Sequence, residues 1–135
     1  MIPLVRISIL RGRTPEHVKL VGDQIHKALV EVMGIPVRDR FQIITQHEPY
    51  ELFAEDAGLG FERTENIVMI QITTQRGRSI NVKQRIYQRI TAELTVAGVT
   101  PNDVFISYVE NGPEDWSFGF GKAQFVIGEL ASYGK

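Results

Sequence analysis

The sequence contains no cysteine among its 135 residues. Disulfide bonds and thiolate chemistry are therefore excluded, and a reducing cytoplasm is the compartment that this composition suits. Basic and acidic side chains nearly cancel, with a formal net charge of -1, so the chain offers no basic field for nucleic acid or an anionic membrane. The apolar opening, residues 1–10, is too short and interrupted for a signal peptide or a membrane span. We expect a soluble cytoplasmic protein with a single domain over residues 1–135.

An internal duplication organises the chain. Residues 11–14, RGRT, recur 65 residues later as residues 76–79, RGRS. Four further residues recur 64 positions later, namely Gly34 as Gly98, Asp39 as Asp103, Phe41 as Phe105 and Pro49 as Pro113. A series of matches at a nearly constant separation predicts a duplicated unit. Two copies of the unit fit a pseudo-two-fold domain better than a solenoid. The units cover about 1–50 and 66–113, joined by a loop or short hairpin over 47–64 and followed by a carboxyl-terminal segment, 114–135.

Each unit is predicted to be strand, helix, strand. Residues 2–10 alternate between apolar and polar, as a strand does. Thr14 and Ser79 are candidate helix N-caps, and Gly34 and Gly98 are candidate stops. Between them, apolar residues recur at helical spacing: Val18, Val21, Ile25, Ala28, Leu29, Val32 and Met33 in the first unit, and Val82, Ile86, Ile90 and Leu94 in the second. Residues 40–46 and 104–110 are predicted to be the closing strands.

The predicted fold class is α/β, α+β in some schemes. Two right-handed parallel β-α-β units give four main strands with two helices on one face. Residues 67–70 are apolar on both sides of the strand, a pattern typical of a sheet buried on both faces. The two helices cover only one face of the sheet, and a second copy of the chain could cover the other. We therefore predict a homo-oligomer.

Two arginines, Arg76 and Arg78, precede the second predicted helix. A helix start carries partial positive charge, so a cation there is disfavoured by a few tenths to about 1 kcal/mol. A bound anion would reverse this balance, because guanidinium forks contact a carboxylate with about 1.5–3 kcal/mol. The alternative is two solvated surface arginines. For Arg11 and Arg13 that alternative is favoured.

The whole chain resembles the tautomerase superfamily, and within it the malonate semialdehyde decarboxylases. The resemblance rests on residues 3–4 (PL), 12–14 (GRT), 39–40 (DR), 46–47 (QH), 55–60 (EDAGLG), 76–79 (RGRS) and 109–119 (VENGPEDWSFG). It implies a homotrimer that acts on small 3-oxo acids without metal or organic cofactor. It also implies that Pro3 is the catalytic amine, that Asp39, Arg76 and Arg78 are catalytic, and that Arg76, Arg78, Trp116 and Phe118 bind the substrate.

The chemistry expected of these groups is decarboxylation of a 3-oxo acid such as 3-oxopropanoate. The arginines would hold the substrate carboxylate, and Asp39 would orient water or the amine or act as general acid/base. Asp39 could instead be a turn residue, as its counterpart Asp103 suggests. Trp116 and Phe118 would exclude water, or simply belong to the core or a subunit interface. His17, His26 and His47 show no metal-ligand spacing, and ordinary hydrogen-bonding roles are favoured.

Pro3 departs from the family pattern, because Met1 and Ile2 precede it. An acylated proline nitrogen is neither basic nor nucleophilic. Either the natural start differs, or processing exposes Pro3, or the proline chemistry has been lost. Three readings remain open: an enzyme of this family, whether decarboxylase or promiscuous tautomerase or hydratase of enol or unsaturated acids; a non-catalytic carboxylate-binding module; and a role in assembly alone.

Overall fold

The computed structural model describes residues 2–131. Met1 and the end of the predicted carboxyl-terminal segment, 132–135, lie outside the described residues. The chain forms two β-α-β units in one mixed four-stranded sheet. The first unit consists of β1 (Pro3–Leu10), α1 (Pro15–Met33) and β2 (Phe41–His47), and the second of β3 (Val68–Gln75), α2 (Ile80–Leu94) and β4 (Val104–Asn111). The predicted fold class is confirmed.

Both helices begin where the sequence places them. The side chains of Thr14 and Ser79 accept hydrogen bonds of 3.2 Å from the backbone N–H groups of His17 and Val82, so each satisfies one free amide of a helix start. The first helix ends as predicted at Gly34, in the left-handed conformation with φ 69°. The second differs from the prediction, because α2 ends at Leu94 and a 3-10 turn, Thr95–Ala97, leads to Gly98. Such tightening of a last turn is common.

The strand order is β2-β1-β3-β4. Within each unit the two strands are parallel, as predicted, whereas β1 and β3 are antiparallel. Consequently the amino ends of β1 and β2 and the carboxyl ends of β3 and β4 meet at one edge of the fold. We call this the site edge. The opposite edge carries the carboxyl ends of β1 and β2.

One face of the sheet packs against both helices. The helix-facing residues of the two central strands are buried, as are the apolar stripes of the helices: Val5, Ile7, Ile9, Val68, Ile70, Ile72, Val21, Ile25, Leu29, Ile86, Ile90 and Leu94. The other face, which we call the open face, carries Leu4, Phe41, Ile43, Met69, Phe105 and Val109. Ile43 is 42% exposed and Phe105 is 44% exposed. The same face also carries the polar residues Arg6, Ser8, Gln71 and Ser107. Apolar side chains exposed to this extent among polar ones are typical of an interaction surface.

Between β2 and β3 the chain runs as a loop with a 3-10 turn at Pro49–Glu51. The carboxylate of Asp56 accepts hydrogen bonds from the N–H groups of Gly58 and Gly60, at 3.1 and 2.7 Å. These contacts fold the tip of the loop on itself. Among residues 2–131 no helix has the length and apolar character that spanning a bilayer requires.

Candidate functional site

The site edge brings together residues that are far apart in sequence. Pro3 pairs with Thr74 across the antiparallel contact, and Leu4 pairs with Phe41 across the parallel one. Asp39 lies just before β2, at the end of a turn. In this turn its N–H donates a 3.0 Å hydrogen bond to the carbonyl of Pro36. The arginine pair follows β3 directly. Sheet topology, not sequence proximity, therefore places Pro3, Asp39 and the arginine loop at the same edge.

Ile2 lies at the centre of this edge and is held at both backbone polar groups. Its N–H donates a 2.6 Å hydrogen bond to Oδ2 of Asp39. Its carbonyl oxygen accepts a hydrogen bond from the hydroxyl of Thr74. The side chain is buried, and φ is 54°, a left-handed value that is unusual for a β-branched residue. Pro3 is also buried, and its nitrogen is acylated by Ile2.

Arg78 is only 7% exposed. Its Nη1 donates to Oγ1 of Thr74 at 3.3 Å and to the carbonyl of Gln75 at 3.4 Å. Burying a guanidinium is costly unless it is hydrogen-bonded, so these partners fix its position. Arg78 thus connects through Thr74 to the residue that precedes Pro3.

Tyr108 of β4 lies beside Arg78. Burial raises the pKa of Tyr108 above its ordinary value of 10.0, and the positive charge of Arg78 opposes part of this rise. The phenol is therefore neutral at physiological pH. It keeps its proton near the guanidinium.

Arg76 differs from Arg78 in being exposed. Its backbone N–H donates 2.8 Å to the carbonyl of Asn111, the last residue of β4. A Cβ on Gly112 would lie 2.9 Å from Nη1 of Arg76, so the absence of a side chain at residue 112 lets the guanidinium pass close to the backbone. The structure therefore places one arginine inside the edge and the other on its rim.

Aromatic residues form one wall of the site edge. Nε1 of Trp116 donates 2.8 Å to Oδ1 of Asn111, which fixes the indole against the end of β4. The ring of Phe118 packs edge-on against Phe41 and Phe125, with centroids 5.6 and 5.2 Å apart. Edge-to-face packing of this kind is favourable for aromatic pairs.

Two cavities lie against this wall. One of about 200 Å³ is lined by Ile2, Leu4, Phe41, Trp116, Ser117 and Phe118. A second of about 350 Å³ also contacts Phe41 and Phe118 and adds Pro36, Arg38, Asp39 and Leu130. Both are large enough for a small organic acid. Their lining is mostly apolar, with Asp39 at one side.

The first unit supplies the contrasting case at the opposite edge. Nη2 of Arg13 donates 2.9 Å to the carbonyl of Asn66, and burial lowers the pKa of the Arg13 guanidinium, partly opposed by Asp103. Asp103 accepts a 2.7 Å hydrogen bond from the N–H of Thr64 and a second bond from its hydroxyl. Arg11 forms an exposed ion pair with Glu48 at 2.8 Å. These arginines and this aspartate hold loops together.

The histidines also have ordinary partners. Nε2 of His17 lies 2.6 Å from the carbonyl of Ala97, and Nε2 of His26 lies 2.7 Å from that of Val37. His47 lies 3.0 Å from the hydroxyl of Thr45. Within residues 2–131 no cluster of three or more metal-ligating side chains is found.

Sequence reasoning singled out Pro3, Asp39, Arg76, Arg78, Trp116 and Phe118, and all six lie at the site edge. It missed Thr74, Ile2 as a hydrogen-bonded residue, and Phe41. The one available signal for Thr74 was a threonine in an apolar strand, at the position where the first unit has Ile9.

Comparisons with known proteins agree with this fold. Two models described as tautomerase enzyme match residues 39–119 and 3–62. The Bacillus subtilis protein named "Probable tautomerase YrdN" is 38% identical over 130 residues, which cover 96% of this chain and 100% of the relative. "Probable tautomerase YusQ" from the same organism is 34% identical over 126 residues, 93% of this chain and 99% of the relative.

Solved structures of known proteins also resemble this chain over most of its length. The FG41 malonate semialdehyde decarboxylase inhibited by 3-bromopropiolate is 53% identical, with a TM-score of 0.93 and coverage of 95% of this chain and 98% of its own. A second malonate semialdehyde decarboxylase, studied in wild-type, mutant and inactivated forms, is 37% identical, with a TM-score of 0.92 and coverage of 95% and 99%. A fused 4-OT symmetric trimer, 17% identical with a TM-score of 0.76 and coverage of 93% and 98%, shares the fold. The chain belongs to the tautomerase enzyme family.

Proposed function

We propose that this chain, once it begins at Pro3, is a cofactor-independent decarboxylase of small 3-oxo acids, of which 3-oxopropanoate is the simplest. One observation carries the proposal: Asp39, Thr74 and Arg78 converge on the residue attached to the Pro3 nitrogen, with hydrogen bonds at every link. Removal of Met1 and Ile2 would leave a secondary amine at this point. The 53% identical protein is a malonate semialdehyde decarboxylase, which supports this substrate class.

The proposed chemistry assigns a task to each group. Breaking the bond to the carboxylate releases an electron pair, which moves toward the neighbouring carbonyl carbon, and protonation at carbon then gives acetaldehyde and carbon dioxide. Arg78 and Arg76 hold the carboxylate, because guanidinium forks match its two oxygens. Asp39 orients the amine or water or acts as general acid/base. Trp116 and Phe118 exclude water, which strengthens the charge interactions inside.

A related reaction on the same groups is a second candidate. A malonate semialdehyde decarboxylase 37% identical to this chain is described as having hydratase as well as decarboxylase activity, and the Bacillus subtilis relatives are named only as tautomerases. Tautomerisation or hydration of enol or unsaturated acids would use the same amine and arginines. Product analysis separates the three reactions.

The alternative without turnover is a carboxylate-binding module. One observation favours it: Ile2 acylates Pro3 and is buried with both of its backbone polar groups bonded. A chain that retains Met1 and Ile2 has no basic amine here. It would hold a small carboxylate through the arginines and leave it unchanged.

We also propose that the protein is a homotrimer, with the open face of the sheet covered by neighbouring copies. The exposure of the apolar residues Ile43 and Phe105 on this face supports the proposal, as do relatives of the same fold described as trimers. Both cavities contact Phe41, an open-face residue. Assembly would therefore also close the site.

The decisive test compares the full chain with a chain that begins at Pro3. Every helix and strand starts at Pro3 or later, so the shorter chain keeps all elements of the fold, which circular dichroism verifies. Each protein is mixed with 3-oxopropanoate, and acetaldehyde is followed by proton NMR. We expect turnover only when Pro3 leads, and loss of turnover in Arg78→Ala and in Arg76→Ala.

Arg11→Ala is the matched control, since Arg11 occupies the position of Arg76 in the first unit but lies at the opposite edge. It should leave turnover unchanged. Failure of the Pro3-led protein to convert any small oxo acid would remove the enzyme proposal. Calorimetric binding of malonate to both chains, with no product from 3-oxopropanoate over hours even when Pro3 leads, would establish the binding module.

A further inference from the structure

Thr74 is a fully buried hydroxyl at the point where the two halves of the sheet meet. It pairs with Pro3 in the antiparallel register. Its hydroxyl donates to the carbonyl oxygen of Ile2, and its Oγ1 accepts from Nη1 of Arg78 at 3.3 Å. A hydroxyl has one proton and two lone pairs, so the bond from Arg78 leaves the proton free to point at the carbonyl of Ile2. Donation from a cation also polarises the hydroxyl and makes it a better donor.

The fold by itself does not require a hydroxyl at residue 74. The position equivalent to it in the first unit is Ile9, which is fully buried in the core. The preceding helix-facing residues of β3, Val68, Ile70 and Ile72, are apolar as well. A buried polar group is unfavourable unless it is hydrogen-bonded. Thr74 therefore differs from its surroundings in a way that points to the residue before Pro3.

The acyl group of Ile2 shows what that hydroxyl can contact. The carbonyl carbon of Ile2 is bonded to the Pro3 nitrogen and bears one oxygen, which Thr74 contacts. When an aldehyde or ketone adds to a free Pro3 amine, its carbonyl carbon takes the same place. The Ile2 carbonyl thus stands in for a substrate carbon attached to that nitrogen. Asp39 bonds the N–H of Ile2 instead, one carbon further along, so Thr74 is the group that contacts the oxygen.

We propose that Thr74 is a catalytic residue of the chain that begins at Pro3, and that its hydroxyl donates a hydrogen bond to the oxygen of the carbonyl that the Pro3 amine attacks. This inference rests on the proposed function. In the step, the nitrogen lone pair forms the N–C bond, the π pair of the carbonyl moves onto oxygen, and the proton lost by nitrogen is gained by that oxygen. The resulting carbinolamine takes up a proton from solvent at its hydroxyl and loses water to give an iminium ion. That cation accepts the electron pair released when the carboxylate leaves as carbon dioxide, which gives an enamine. Protonation of the enamine at carbon gives a second iminium ion, and water then releases acetaldehyde, the free amine and a proton.

The position of the Thr74 hydroxyl suits the negative charge that forms on the carbonyl oxygen of the substrate. Negative charge develops on the oxygen during attack, and a donor held in advance in a dry site stabilises it without reorganisation. Arg78 strengthens that donor through the bond to Oγ1. The hydroxyl should therefore act on kcat more than on KM, because the charge is absent in the bound aldehyde.

The experiment uses four proteins that begin at Pro3: the parent, Thr74→Val, Thr74→Ser and the control Thr91→Val. Valine keeps the shape of threonine without its hydroxyl, and serine keeps the hydroxyl. Thr91 is a matched control because its hydroxyl donates 2.8 Å to the carbonyl of Tyr87 inside α2, away from the site. Turnover of 3-oxopropanoate gives kcat and KM. Separately, acetaldehyde with cyanoborohydride reduces the iminium and leaves an ethyl group on Pro3, which mass spectrometry quantifies over time.

We expect Thr74→Val to lower kcat by about 100-fold, the effect of losing one such donor, with little change in KM and a comparable slowing of ethylation. Thr74→Ser and Thr91→Val should remain close to the parent in both measurements. Thr74→Ala replaces the valine variant if circular dichroism shows that the latter does not fold.

Equal rates for Thr74→Val and Thr74→Ser would overturn the assignment. Decarboxylation by a parent whose Pro3 is never ethylated would overturn it too, while leaving the decarboxylase proposal standing. Conversely, a parent that ethylates in a hydroxyl-dependent manner but converts no 3-oxo acid would support Thr74 and remove the proposed substrate class.

Discussion

The backbone N–H of Ile2 donates a 2.6 Å hydrogen bond to Oδ2 of Asp39, a carboxylate that is 7% exposed. A buried carboxylate needs such a donor, because an unpaired charge out of water is strongly unfavourable. In the chain that retains Met1 and Ile2, Asp39 is therefore part of the stability of the site edge. Its proposed catalytic task can begin only after this donor is gone.

The first prediction concerns this bond in the full chain. Asp39→Ala removes a charge-assisted hydrogen bond, so the free energy of unfolding should fall by about 1.5–3 kcal/mol. Urea denaturation measures it. Glu65→Ala, at an exposed carboxylate, is the control and should change the value by less than about 0.5 kcal/mol. Equal effects of the two substitutions would mean that the contact contributes nothing.

The second prediction separates a guanidinium from an ammonium at residue 78. In the chain that begins at Pro3, Arg78→Lys should weaken malonate binding about 10-fold, or about 1.4 kcal/mol. The reason is that lysine lacks the planar fork that can contact Thr74 and a carboxylate together. Calorimetry gives the Kd, and Arg11→Lys at the opposite edge serves as the control. Unchanged binding in Arg78→Lys would show that the planar fork of Arg78 contributes nothing to malonate binding.

The third prediction tests the open face. Phe105→Lys replaces an apolar side chain with a charge on the face that we propose to be buried between copies, so the protein should become monomeric. Light scattering coupled to size exclusion should give three times the 15.3 kDa of one chain for the parent and one times that mass for the variant. Val96→Lys, an exposed apolar position after α2 and away from the open face, should leave the parent mass unchanged. A monomeric parent would contradict the proposed trimer directly.

The fourth prediction concerns acid stability. A hydrogen bond of 2.9 Å from Arg89, with Lys27 at 3.5 Å, lowers the pKa of Glu93 below its ordinary value of 4.5. A carboxyl whose folded pKa is lower than its unfolded pKa stabilises the fold fully above the unfolded value. That contribution is lost as the pH falls through the folded value.

Thermal unfolding should therefore show a smaller loss of Tm between pH about 7 and about 3 in Glu93→Gln than in the parent. Glu65→Gln provides the comparison at an exposed carboxylate. Identical pH profiles for the parent and Glu93→Gln would rule out this contribution.

Local sequence patterns were sufficient for the elements of the fold. Caps at Thr14 and Ser79, the stop at Gly34 and the apolar stripes all depend on neighbours within one or two helical turns, and the structure confirms each. The end of α2 differed from the prediction, because a stop glycine at Gly98 does not determine whether the last turn is α-helical or 3-10. That choice depends on only a few backbone hydrogen bonds.

The candidate site was only partly accessible from the sequence. Pro3, Asp39, Arg76 and Arg78 could be named, because the duplication and the family resemblance mark them. The sequence could not predict that Arg78 is buried and Arg76 exposed, since the two residues lie close together in the same short loop. Nor could Thr74 be assigned a partner, because its hydroxyl acquires one only through pairing with a strand of the other half.

The sequence by itself determined two β-α-β units, both helix starts, the end of the first helix and the apolar stripes of the helices, since all of these follow from periodicity and capping along the chain. Only the tertiary structure decided that the halves join through antiparallel β1 and β3. No pattern within either strand specifies the direction of its neighbour. That direction determines which strand ends share an edge, and hence that the residue before Pro3 contacts Asp39, Thr74 and, through Thr74, Arg78.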